Sequence, residues 1–437
     1  MRIHVVGIGG AGMSAVARLL LARGDVVTGS DTGSWPLAEA LARDGATVHR
    51  SFAAAQIRDA DIVLRSSAYG DANPEVRAAL AAGIPVWRRH DAWSELARGK
   101  RVVAIAGTHG KTTTTALTWT ALRAAGVDAS LICGAVLRGL ESNAYAGRDP
   151  TLVIEADEYD RTFLALAPEV AVVTNVDHDH VDVFPTKADY DAAFQQFASQ
   201  VTGTLVVCAD DPGASTLGAG RMVSYGTRPG ATYRISGRTH DGPEQTFAVA
   251  GTSLTLRIAG AHNALNATAA LAAAAQCGVA PAVAAAALGR FAGTARRLEV
   301  LGEAGGVTVV DDYAHHPAEI AAGLAAFEGR RTVVVFQPHT TSRSNAFFDD
   351  FVAVLKRAAV LVVVETFASA RGTADAVSSA RRLADVAGGV YARTADDAVE
   401  AAVARARADD VVLVMGAGDV RPIGLRVLAR LGVARPA

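Results

Sequence analysis

The sequence is poor in cysteine, nearly neutral in charge and free of long apolar runs. Its three cysteines, Cys133, Cys208 and Cys277, are scattered among apolar residues, so neither a disulfide framework nor a zinc site is expected, and a reducing compartment fits. The formal net charge of -2 provides no basic field for nucleic acid. No apolar run reaches the roughly 18–20 residues that cross a bilayer, and the N-terminus has a strand pattern rather than that of a signal peptide. We therefore expect a soluble, cytoplasmic protein without a nucleic-acid partner and without membrane insertion.

The length and the order of elements predict several α/β domains. A chain of 437 residues has room for about two to four domains, each with its own core. Half of the residues are apolar and a fifth are charged, which is an ordinary globular balance. Strand-like apolar runs alternate with helix-like runs along most of the chain, and this alternation favours α/β folds.

A glycine-rich stretch has the pattern of a phosphate-binding loop. The apolar run 101–106 predicts a buried strand, the sequence G-T-H-G-K-T-T follows at residues 107–113, and a helical pattern comes next. In such a loop backbone N–H groups and the helix N-terminus hold an anion, Lys111 reaches the terminal phosphates, and the Thr112 hydroxyl binds Mg²⁺. The match is the short form G-x-x-G-K-T, because Ile105 stands where longer loops begin with glycine. The strand–turn–helix context makes a chance match the weaker interpretation, so the predicted ligand is a nucleoside triphosphate.

A second glycine turn, G-I-G-G-A-G at residues 7–12, lies between a strand pattern and a helical pattern. Asp31 follows about 20 residues later, where dinucleotide-binding folds carry a ribose-binding acid. Three interpretations stay open: an NAD site, a site for another diphosphate such as that of a nucleotide sugar, and glycines that only permit close packing. Ser66, Ser67 and Asn73 follow a later strand pattern and could line a ligand crevice or act as turn and cap residues.

Acidic and amide-rich segments follow two further strand patterns. The sequences E-A-D-E-Y-D at residues 155–160 and T-N-V-D-H-D-H at residues 174–180 each come directly after an apolar run. Because parallel strands end at one edge of a sheet, both segments are expected beside the phosphate loop. Carboxylates in that position favour a Mg²⁺ site over a solvated turn. Imidazole is a poorer Mg²⁺ ligand, so we expect one of His178 and His180 to have only a structural role.

An alanine-rich helical pattern begins near residue 260 with A-H-N-A-L-N. Asn263 and Asn266 are three residues apart and therefore share one face of that helix. Either both amides contact an adenine edge, or Asn263 is only an N-cap.

The last third of the chain repeats the strand–helix alternation and predicts a further α/β domain. Polar motifs follow its strand patterns, with D-D-Y-A-H-H-P-A-E at residues 311–319 and Q-P-H at residues 337–339, then Ser342 and Arg343. Each motif alone could be a cap or a turn. Together they favour a face that is turned toward a shared cleft.

In this order the motifs resemble those of the Mur ligase family, ATP-dependent enzymes that build the peptide of bacterial peptidoglycan. The resemblance covers nearly the whole chain and is strongest for the branch that adds L-alanine to UDP-N-acetylmuramate. The motifs that carry it are G-I-G-G-x-G-M-S, G-T-H-G-K-T-T-T, E-A-D-E, T-N-x-x-x-D-H-x-D, H-N-x-x-N, D-D-Y-x-H-H-P-x-E and Q-P-H-x-x-S-R.

The resemblance implies an α/β protein of three domains and a reaction. The domains are a Rossmann-like UDP-sugar-binding domain at 1–97, a central P-loop ATPase-type domain with a mostly parallel sheet at 98–294, and a C-terminal Rossmann-like α/β domain at 295–437 that closes over ATP and the amino acid. ATP phosphorylates the lactyl carboxylate of UDP-N-acetylmuramate, and the amine of L-alanine attacks the acyl phosphate to give an amide, ADP and phosphate. The implied cofactors are ATP and Mg²⁺, with Mn²⁺ as a substitute, and the implied assembly is a monomer or a homodimer.

The same resemblance implies roles for individual residues. Catalysis is assigned to Lys111, His180, His315, His316 and Arg343. The metal ligands are Thr112, Glu155 and His180. The residues expected at ATP are Gly107, Thr108, His109, Gly110, Lys111, Thr112, Thr113, Asn263, Asn266, Arg296 and Asp311. The residues expected at the UDP-sugar are Gly9, Gly10, Ala11, Gly12, Met13, Ser14, Asp31, Ser66 and Asn73.

Two positions depart from the family pattern. Aligning Tyr190 with the tyrosine of ligases that add later residues puts Phe194 where those enzymes often carry a carbamylated lysine. Phosphate or metal positioning must then differ, or another group must serve. Thr340 follows the Q-P-H motif, where relatives often have a basic residue, and this departure weakens the amino-acid assignment.

Three other functions fit parts of the sequence. A murein tripeptide ligase of peptidoglycan recycling shares most motifs, although the acidic segment 155–160 and the compact length favour the alanine-adding branch. An NAD-dependent dehydrogenase rests on Gly7, Gly9, Gly12 and Asp31 but leaves the phosphate loop unexplained. A nucleotide-gated binding protein without chemistry predicts no ADP release with any acceptor.

Overall fold

The computed structural model describes residues 1–33, 35–241, 244–367 and 379–433. Across these ranges three β-sheets follow one another along the chain, each flanked by helices. This arrangement confirms the predicted α/β class with three domains. The final four residues of the predicted C-terminal domain, together with residues 368–378, lie outside the described ranges.

The N-terminal sheet places the glycine turn at its centre. Its strands are β1 (Arg2–Val6), β2 (Val26–Ser30), β3 (Thr47–His49), β4 (Ile62–Arg65) and β5 (Val86–Trp87). Its helices are α1 (Ala11–Ala22), α2 (Pro36–Arg43), α3 (Pro74–Ala82) and α4 (Arg89–Ala97), with a 3-10 turn at Ala54–Ile57. The strands are parallel in the order β3-β2-β1-β4-β5. The order reverses at β1, so the turn after β1 lies at the topological switch point, where open α/β sheets bind ligands.

The central sheet is mostly parallel and carries the phosphate loop. Its strands are β6 (Arg101–Ala106), β7 (Ser130–Leu137), β8 (Ser142–Tyr145), β9 (Thr151–Glu155), β10 (Val170–Val173), β11 (Thr204–Cys208), β12 (Arg221–Gly226), β13 (Tyr233–Asp241), β14 (Glu244–Val249) and β15 (Thr252–Leu256). Its helices are α5 (Lys111–Ala124), α6 (Lys187–Ser199), α7 (Ala261–Gln276) and α8 (Pro281–Leu288), with 3-10 turns at Tyr159–Ala165 and Ala214–Thr216. The order is β15-β14-β13-β12-β11-β10-β6-β9-β7-β8. Since β10, β6 and β9 are parallel neighbours, the segments after them meet at one edge.

The C-terminal sheet is parallel except at one edge. Its strands are β16 (Glu299–Ala304), β17 (Val307–Asp312), β18 (Thr332–Phe336), β19 (Val360–Val364), β20 (Val390–Ala392) and β21 (Val411–Met415). Its helices are α9 (Pro317–Ala325), α10 (Thr341–Ala346), α11 (Phe348–Leu355), α12 (Ser379–Ala387), α13 (Ala395–Arg405) and α14 (Arg421–Val433). The order is β16-β17-β21-β18-β19-β20, and only β16 pairs antiparallel with its neighbour. Apolar side chains of these strands fill a core on each face of the sheet.

Three helices begin about one turn earlier than their apolar patterns predict. The patterns start at Ala15, Ala116 and Ile320, whereas the helices start at Ala11, Lys111 and Pro317. The first turns consist of small, threonine-rich or proline-led residues, which a hydrophobic pattern does not detect. Helix α7 has Gly260 as its N-cap, so Asn263 is inside the helix and is not its cap.

Two expectations about composition agree with the structure. All three cysteines are free. Within the described ranges, no helix combines the length and the apolar character that are needed to cross a membrane.

Candidate active site

The phosphate loop is a tight turn that only glycine can form at two positions. Gly107 has φ +127°, and an added Cβ would lie 2.0 Å from Thr174 Oγ1. Gly110 has φ +80°, and an added Cβ would lie 2.4 Å from Asn266 Oδ1. Residue Gly110 is the N-cap of α5, so the turn ends at a helix N-terminus, which is suited to binding phosphate. The structure therefore brings Asn266 directly against the loop.

The segment after β10 holds this loop in shape. Asn175 Oδ1 accepts a hydrogen bond from His109 N at 2.8 Å, and its Nδ2 donates to His109 O at 3.1 Å. Thr174 Oγ1 donates to the same carbonyl at 2.6 Å. Thr108 Oγ1 donates to Asp177 O at 2.8 Å. The T-N pair of this motif, Thr174 and Asn175, thus has a local physical reason, because it satisfies the polar groups of the turn.

Lys111 lies among carboxylates at the start of α5. Its Nζ donates to Gly107 O at 2.6 Å and to Thr108 O at 2.9 Å, and it is 2.8 Å from Glu158 Oε2. Burial acts to lower the pKa of Lys111, but Glu158 and Asp157 raise it above its usual value. The ammonium group therefore stays charged and can neutralise phosphate oxygens.

Glu158 is a site residue that sequence reasoning treated only as part of an acidic segment. Its side chain is fully buried, accepts a hydrogen bond from Tyr190 Oη at 3.2 Å and lies 3.4 Å from His180 Nε2. A carboxylate buried beside Lys111 and a histidine is held by charge partners rather than by water. The only sequence signal was its place in the E-A-D-E motif.

The predicted metal ligands fall into two groups. Thr112 Oγ1 donates to Glu155 Oε1 at 2.9 Å. An added Cβ at Gly134 would lie 2.7 Å from the same carboxylate oxygen, so the glycine leaves room for it. In the second group, ligand atoms of Asp157, Glu158 and His180 lie within 4.8 Å of one another. The donors are mostly oxygen, which fits Mg²⁺ or Mn²⁺.

The two histidines of the D-H-D-H segment differ as expected. His178 Nε2 lies 2.9 Å from Phe184 O, which is a structural contact. His180 faces Glu158 and has φ 52°, a left-handed backbone conformation that is uncommon for histidine and is found at functional sites.

Arg343 joins the C-terminal domain to the central domain. Its Nε and Nη2 each donate to a carboxylate oxygen of Asp179, at 3.0 and 3.0 Å. Both side chains are nearly buried. Burial acts to raise the pKa of Asp179, but His180 and Arg343 depress it well below its usual value. The edge of the guanidinium formed by Nε and Nη2 is thus occupied by Asp179.

Two adjacent arginines at the start of the C-terminal domain take different directions. Arg296, which we expected at ATP, donates from Nη2 to Gly416 O at 2.6 Å and to Gly418 O at 2.7 Å. Arg297 points to the phosphate loop instead, with Nη2 3.3 Å from Thr112 Oγ1. The arginine that the structure brings to the loop is therefore Arg297, and Arg296 supports the turn after β21.

The aspartates of the D-D-Y motif show the same pattern as the two arginines, in which the first residue of the pair is engaged within the C-terminal domain. Asp311 Oδ2 lies 3.1 Å from Arg421 Nη1 and 3.7 Å from Arg296 Nε, so it is engaged within the C-terminal domain. Asp312 is buried, and burial raises its pKa to about 7, while the charge of Arg297 opposes that rise. Asp312 is thus the aspartate of this motif whose pKa responds to Arg297, the arginine at the phosphate loop. Consecutive residues of a strand face opposite sides of the sheet. A motif match alone does not show which of the two aspartates faces a given side.

The histidine pair of the C-terminal domain faces the phosphate loop. His316 caps α9, with Nδ1 accepting from Ala318 N at 3.3 Å, and its ring lies 4.8 Å from that of His109. Burial lowers the pKa of His315 to about 3 and that of His316 to about 4, so both rings are neutral. Because His316 Nδ1 accepts a hydrogen bond, the hydrogen of the neutral ring is on the buried Nε2. Nε2 is therefore a hydrogen-bond donor and not a metal ligand, although His316 lies close enough to His109 and Asp177 for the three to form a possible metal-binding group.

The two asparagines of α7 share a buried face, as predicted. Asn266 Nδ2 donates to Asn263 Oδ1 at 3.1 Å, and Asn263 Nδ2 donates to Ala259 O at 2.6 Å. The pair is next to Gly110 of the loop, which is compatible with a nucleotide contact.

At the N-terminal glycine turn, Asp31 binds the turn itself. Its Oδ2 accepts from Gly9 N at 2.9 Å, and its Oδ1 accepts from Tyr69 Oη at 3.1 Å. Trp35 covers Gly9 so closely that an added Cβ there would lie 2.4 Å from Trp35 Cγ. A cavity of about 150 Å³ opens beside these residues, at the ends of β2 and β3, and His49 also lines it.

Other residues expected at the UDP-sugar have local partners. Met13 is buried in the core. Ser14 Oγ accepts from Asn143 Nδ2 of the central domain at 3.1 Å. Ser66 Oγ accepts from Ala68 N at 3.3 Å, and Asn73 caps α3 by accepting from Glu75 N at 2.9 Å. The cap and turn interpretations of Ser66 and Asn73 therefore describe what these side chains do in this structure.

Arg89 connects the glycine turn to the acidic segment, and sequence reasoning missed it. An added Cβ at Gly12 would lie 3.1 Å from Arg89 Nη1. Its Nη2 donates to Asp157 at 2.6 Å and to Thr162 Oγ1 at 3.3 Å. A second cavity of about 170 Å³, which Arg65, Arg88 and Arg89 line, opens between the two domains. This cationic surface is suited to an anionic ligand.

Comparison with protein-family models gives matches along most of the chain. Residues 2–101 match the model described as Mur ligase family, catalytic domain, residues 105–274 match the Mur ligase middle domain, and residues 296–418 match the Mur ligase, glutamate ligase domain. The chain belongs to the Mur ligase family.

Relatives and solved structures agree with this membership of the Mur ligases. The chain is 44% identical to the UDP-N-acetylmuramate–L-alanine ligase of Chloroflexus aggregans over 98% of each chain. It is 42% identical to that of Thermobifida fusca over 99% of this chain and 97% of the other. The crystal structure of the UDP-N-acetylmuramate-alanine ligase MurC from Thermotoga maritima matches with a TM-score of 0.85, 28% identity and full coverage of both chains. A murein peptide ligase from Psychrobacter arcticus matches with a TM-score of 0.77 and 25% identity, again over both full chains.

Membership of the Mur ligases does not favour the dehydrogenase interpretation of the glycine turn, because that turn lies within the first Mur ligase model. The structure shows the local roles of the two residues that depart from the family pattern.

Phe194 is buried and packs edge-on against Phe163, so it belongs to an aromatic core. Thr340 is the N-cap of α10, where its Oγ1 accepts from Arg343 N at 3.4 Å. Its role is thus to begin the helix that carries Arg343.

Proposed function

We propose that this Mur ligase joins L-alanine to the lactyl carboxylate of UDP-N-acetylmuramate, with ATP converted to ADP and phosphate through an acyl phosphate. The observation that carries the proposal is the meeting of a phosphate loop, a carboxylate cluster and the His315–His316 loop of another domain in one cleft. The alanine-adding relatives, which match over nearly the full length, support the choice of substrate.

In the first step a carboxylate oxygen of the lactyl group attacks the γ-phosphorus of ATP, and ADP leaves. Two anions must approach each other, so the residues around the loop neutralise charge rather than act as nucleophiles. Lys111 and Arg297 supply positive charge at this place. Thr112 and Glu155 would hold a Mg²⁺ or Mn²⁺ ion, which neutralises phosphate charge when bound.

In the second step the amine of L-alanine attacks the acyl carbon, phosphate leaves and the amine loses a proton. The residues on that side of the cleft come from the C-terminal domain. The neutral His315 and His316 can donate hydrogen bonds or accept a proton at neutral pH. The part of Arg343 that Asp179 does not use is suited to the carboxylate of the amino acid.

The N-terminal domain would bind the UDP-sugar. Asp31 and the turn 9–14 lie at the sheet's switch point, and Arg89 carries positive charge from this turn toward the acidic segment. We place the domain limits at residues 97/98 and 294/295. We further propose a cytoplasmic enzyme that acts as a monomer or a homodimer.

The proposal is tested by phosphate release from ATP and Mg²⁺ in the presence of UDP-N-acetylmuramate. Release that depends on L-alanine is expected, and Lys111→Ala should abolish it, while Lys100→Ala, an exposed lysine, should not. Release only with L-alanyl-γ-D-glutamyl-diaminopimelate would instead identify a recycling ligase. Release with neither acceptor would contradict the ligase function.

A further inference from the structure

Glu319 is a carboxylate at which three separate segments of the chain meet. It lies in the first turn of α9 and is mostly buried. His109 of the phosphate loop approaches with Nδ1 at 3.4 Å, and Arg297, which leads into β16, approaches with Nη1 at 3.7 Å. His315 is the third partner: its backbone N donates to Glu319 Oε2 at 3.0 Å, and its Nδ1 lies 3.3 Å from the same oxygen.

The two oxygens of this carboxylate face different sides of the cleft. Oε1 takes the contacts from His109 and Arg297, which belong to the nucleotide side. Oε2 takes both contacts from His315, which belongs to the amino-acid side. A single side chain thus spans the two half-sites of the ligase reaction.

The partners of Glu319 keep it ionised. Burial acts to raise its pKa, but the contact with His315 and the charges of His109 and Arg297 lower it well below its usual value. The charge of Glu319 raises the pKa of the neighbouring acid Asp312, and it also acts to raise the pKa values of Arg343 and His262. An ionised carboxylate accepts hydrogen bonds only, so it can fix the orientation of every donor around it.

Two partners of Glu319, His109 and His315, are themselves held in place. The backbone of His109 is fixed by Asn175, so the position of its ring follows the phosphate loop. The ring of His315 has Nδ1 2.9 Å from Tyr313 O, which leaves Nε2 directed away from these acceptors. Glu319 therefore orders His315 in a position that is defined relative to the phosphate loop.

We propose that Glu319 is a positioning residue that assembles the amino-acid side of the site on the phosphate loop, so that His315 faces the acyl phosphate correctly for the amine step. Glu319 itself touches neither substrate and acts through His315. This inference rests on the proposed ligase function. It predicts that the carboxylate matters for attack by L-alanine and not for formation of the acyl phosphate.

The test compares two nucleophiles in Glu319→Gln, which keeps the shape and removes the charge. Hydroxylamine attacks the acyl carbon and releases phosphate, giving a hydroxamate, and it needs no amino-acid subsite. We expect kcat/KM for L-alanine to fall by about 100-fold, as for a misplaced reacting group, while hydroxylamine-dependent ADP formation and the KM for ATP stay unchanged. Glu328→Gln, at an exposed position after the same helix, should behave as wild type with both nucleophiles.

Three results would overturn the proposal. Equal losses with L-alanine and hydroxylamine would place Glu319 in phosphoryl transfer or in folding, and no loss with either would deny it a role. The third result concerns the contact between Glu319 and His109 of the phosphate loop. In a His109→Asn background, Glu319→Gln should lower kcat/KM for L-alanine by a smaller factor than it does in the wild-type protein. Full additivity would show that this contact carries no coupling. Absence of L-alanine-dependent turnover in the wild-type protein would contradict the ligase function instead, and is distinguishable from all three.

Discussion

Arg343 and Asp179 form a two-point ion pair between the C-terminal and central domains, with both N–O distances 3.0 Å. The two residues are 164 positions apart in the chain, so the pair exists only when the domains meet. Asp179 is adjacent to His180 and lies in the segment after β10 that holds the phosphate loop in shape, while Arg343 follows the Q-P-H motif. The contact therefore joins the proposed metal side of the cleft to the proposed amino-acid side.

The first prediction concerns this pair. Arg343→Ala should lower kcat/KM for L-alanine by about 100-fold, because removing one partner leaves a buried charge without compensation. Arg343→Lys should recover only part of this loss, since lysine cannot make the two parallel bonds. Steady-state kinetics with varied L-alanine measures the effect. A full recovery by lysine would contradict the importance of the two-point geometry.

The second prediction concerns pH. Burial acts to lower the pKa of His109, but hydrogen bonds to Asp177 and Glu319 raise it from 6.5 to about 9, and His316 also faces it. A raised pKa means that the stabilisation is complete below 6.5 and is lost as the pH rises through about 9. The difference in melting temperature between wild type and His109→Gln should therefore be largest at mildly acidic pH and should shrink above about 9.

Thermal unfolding over a pH series gives this difference directly. A difference in melting temperature that does not change with pH would mean that His109 is not held as an imidazolium between the two domains.

The third prediction separates Arg296 from Arg297. Arg297→Ala should lower kcat by about 100-fold, as expected for loss of a charge that stabilises the transferred phosphoryl group, because Arg297 reaches Thr112. Arg296→Ala should mainly lower the melting temperature, because its partners are Gly416 O and Gly418 O. Kinetics and thermal unfolding of both variants provide the comparison. The opposite pattern would return the ATP contact to Arg296.

The fourth prediction concerns the metal. Gly134→Ala places a methyl group 2.7 Å from Glu155 Oε1 and should displace this carboxylate. We expect the Mg²⁺ concentration for half-maximal activity to rise by about tenfold, in the range seen when support for a metal ligand is lost. Gly218→Ala is the matched control, because no atom lies within 4 Å of the added Cβ. An unchanged Mg²⁺ requirement in Gly134→Ala would remove Glu155 from the metal site.

Much of the fold follows from local sequence patterns. The predicted strand at 101–106 is confirmed to the residue, because it is a short apolar run that ends at a glycine. Helix starts were less predictable. Helix α5 begins at Lys111 inside the phosphate loop, and a threonine-rich first turn carries no apolar period.

The site was predictable where a motif is local and less so where distant segments meet. Gly107 and Gly110 could be identified because a tight turn demands glycine at fixed spacing. Arg89 could not, because its partner Asp157 is 68 residues away. Arg297 could not be distinguished from its neighbour, because side-chain direction depends on the backbone conformation, and Arg296 itself has φ 58°.

The central claim is that ATP phosphorylates the lactyl carboxylate before the amide forms. The most direct test uses UDP-N-acetylmuramate with oxygen-18 in that carboxylate, together with ATP, Mg²⁺ and L-alanine, and mass spectrometry of the released phosphate. An acyl phosphate intermediate predicts transfer of a single labelled oxygen to each phosphate. Phosphate without label, formed at the same rate as the amide, would contradict the account.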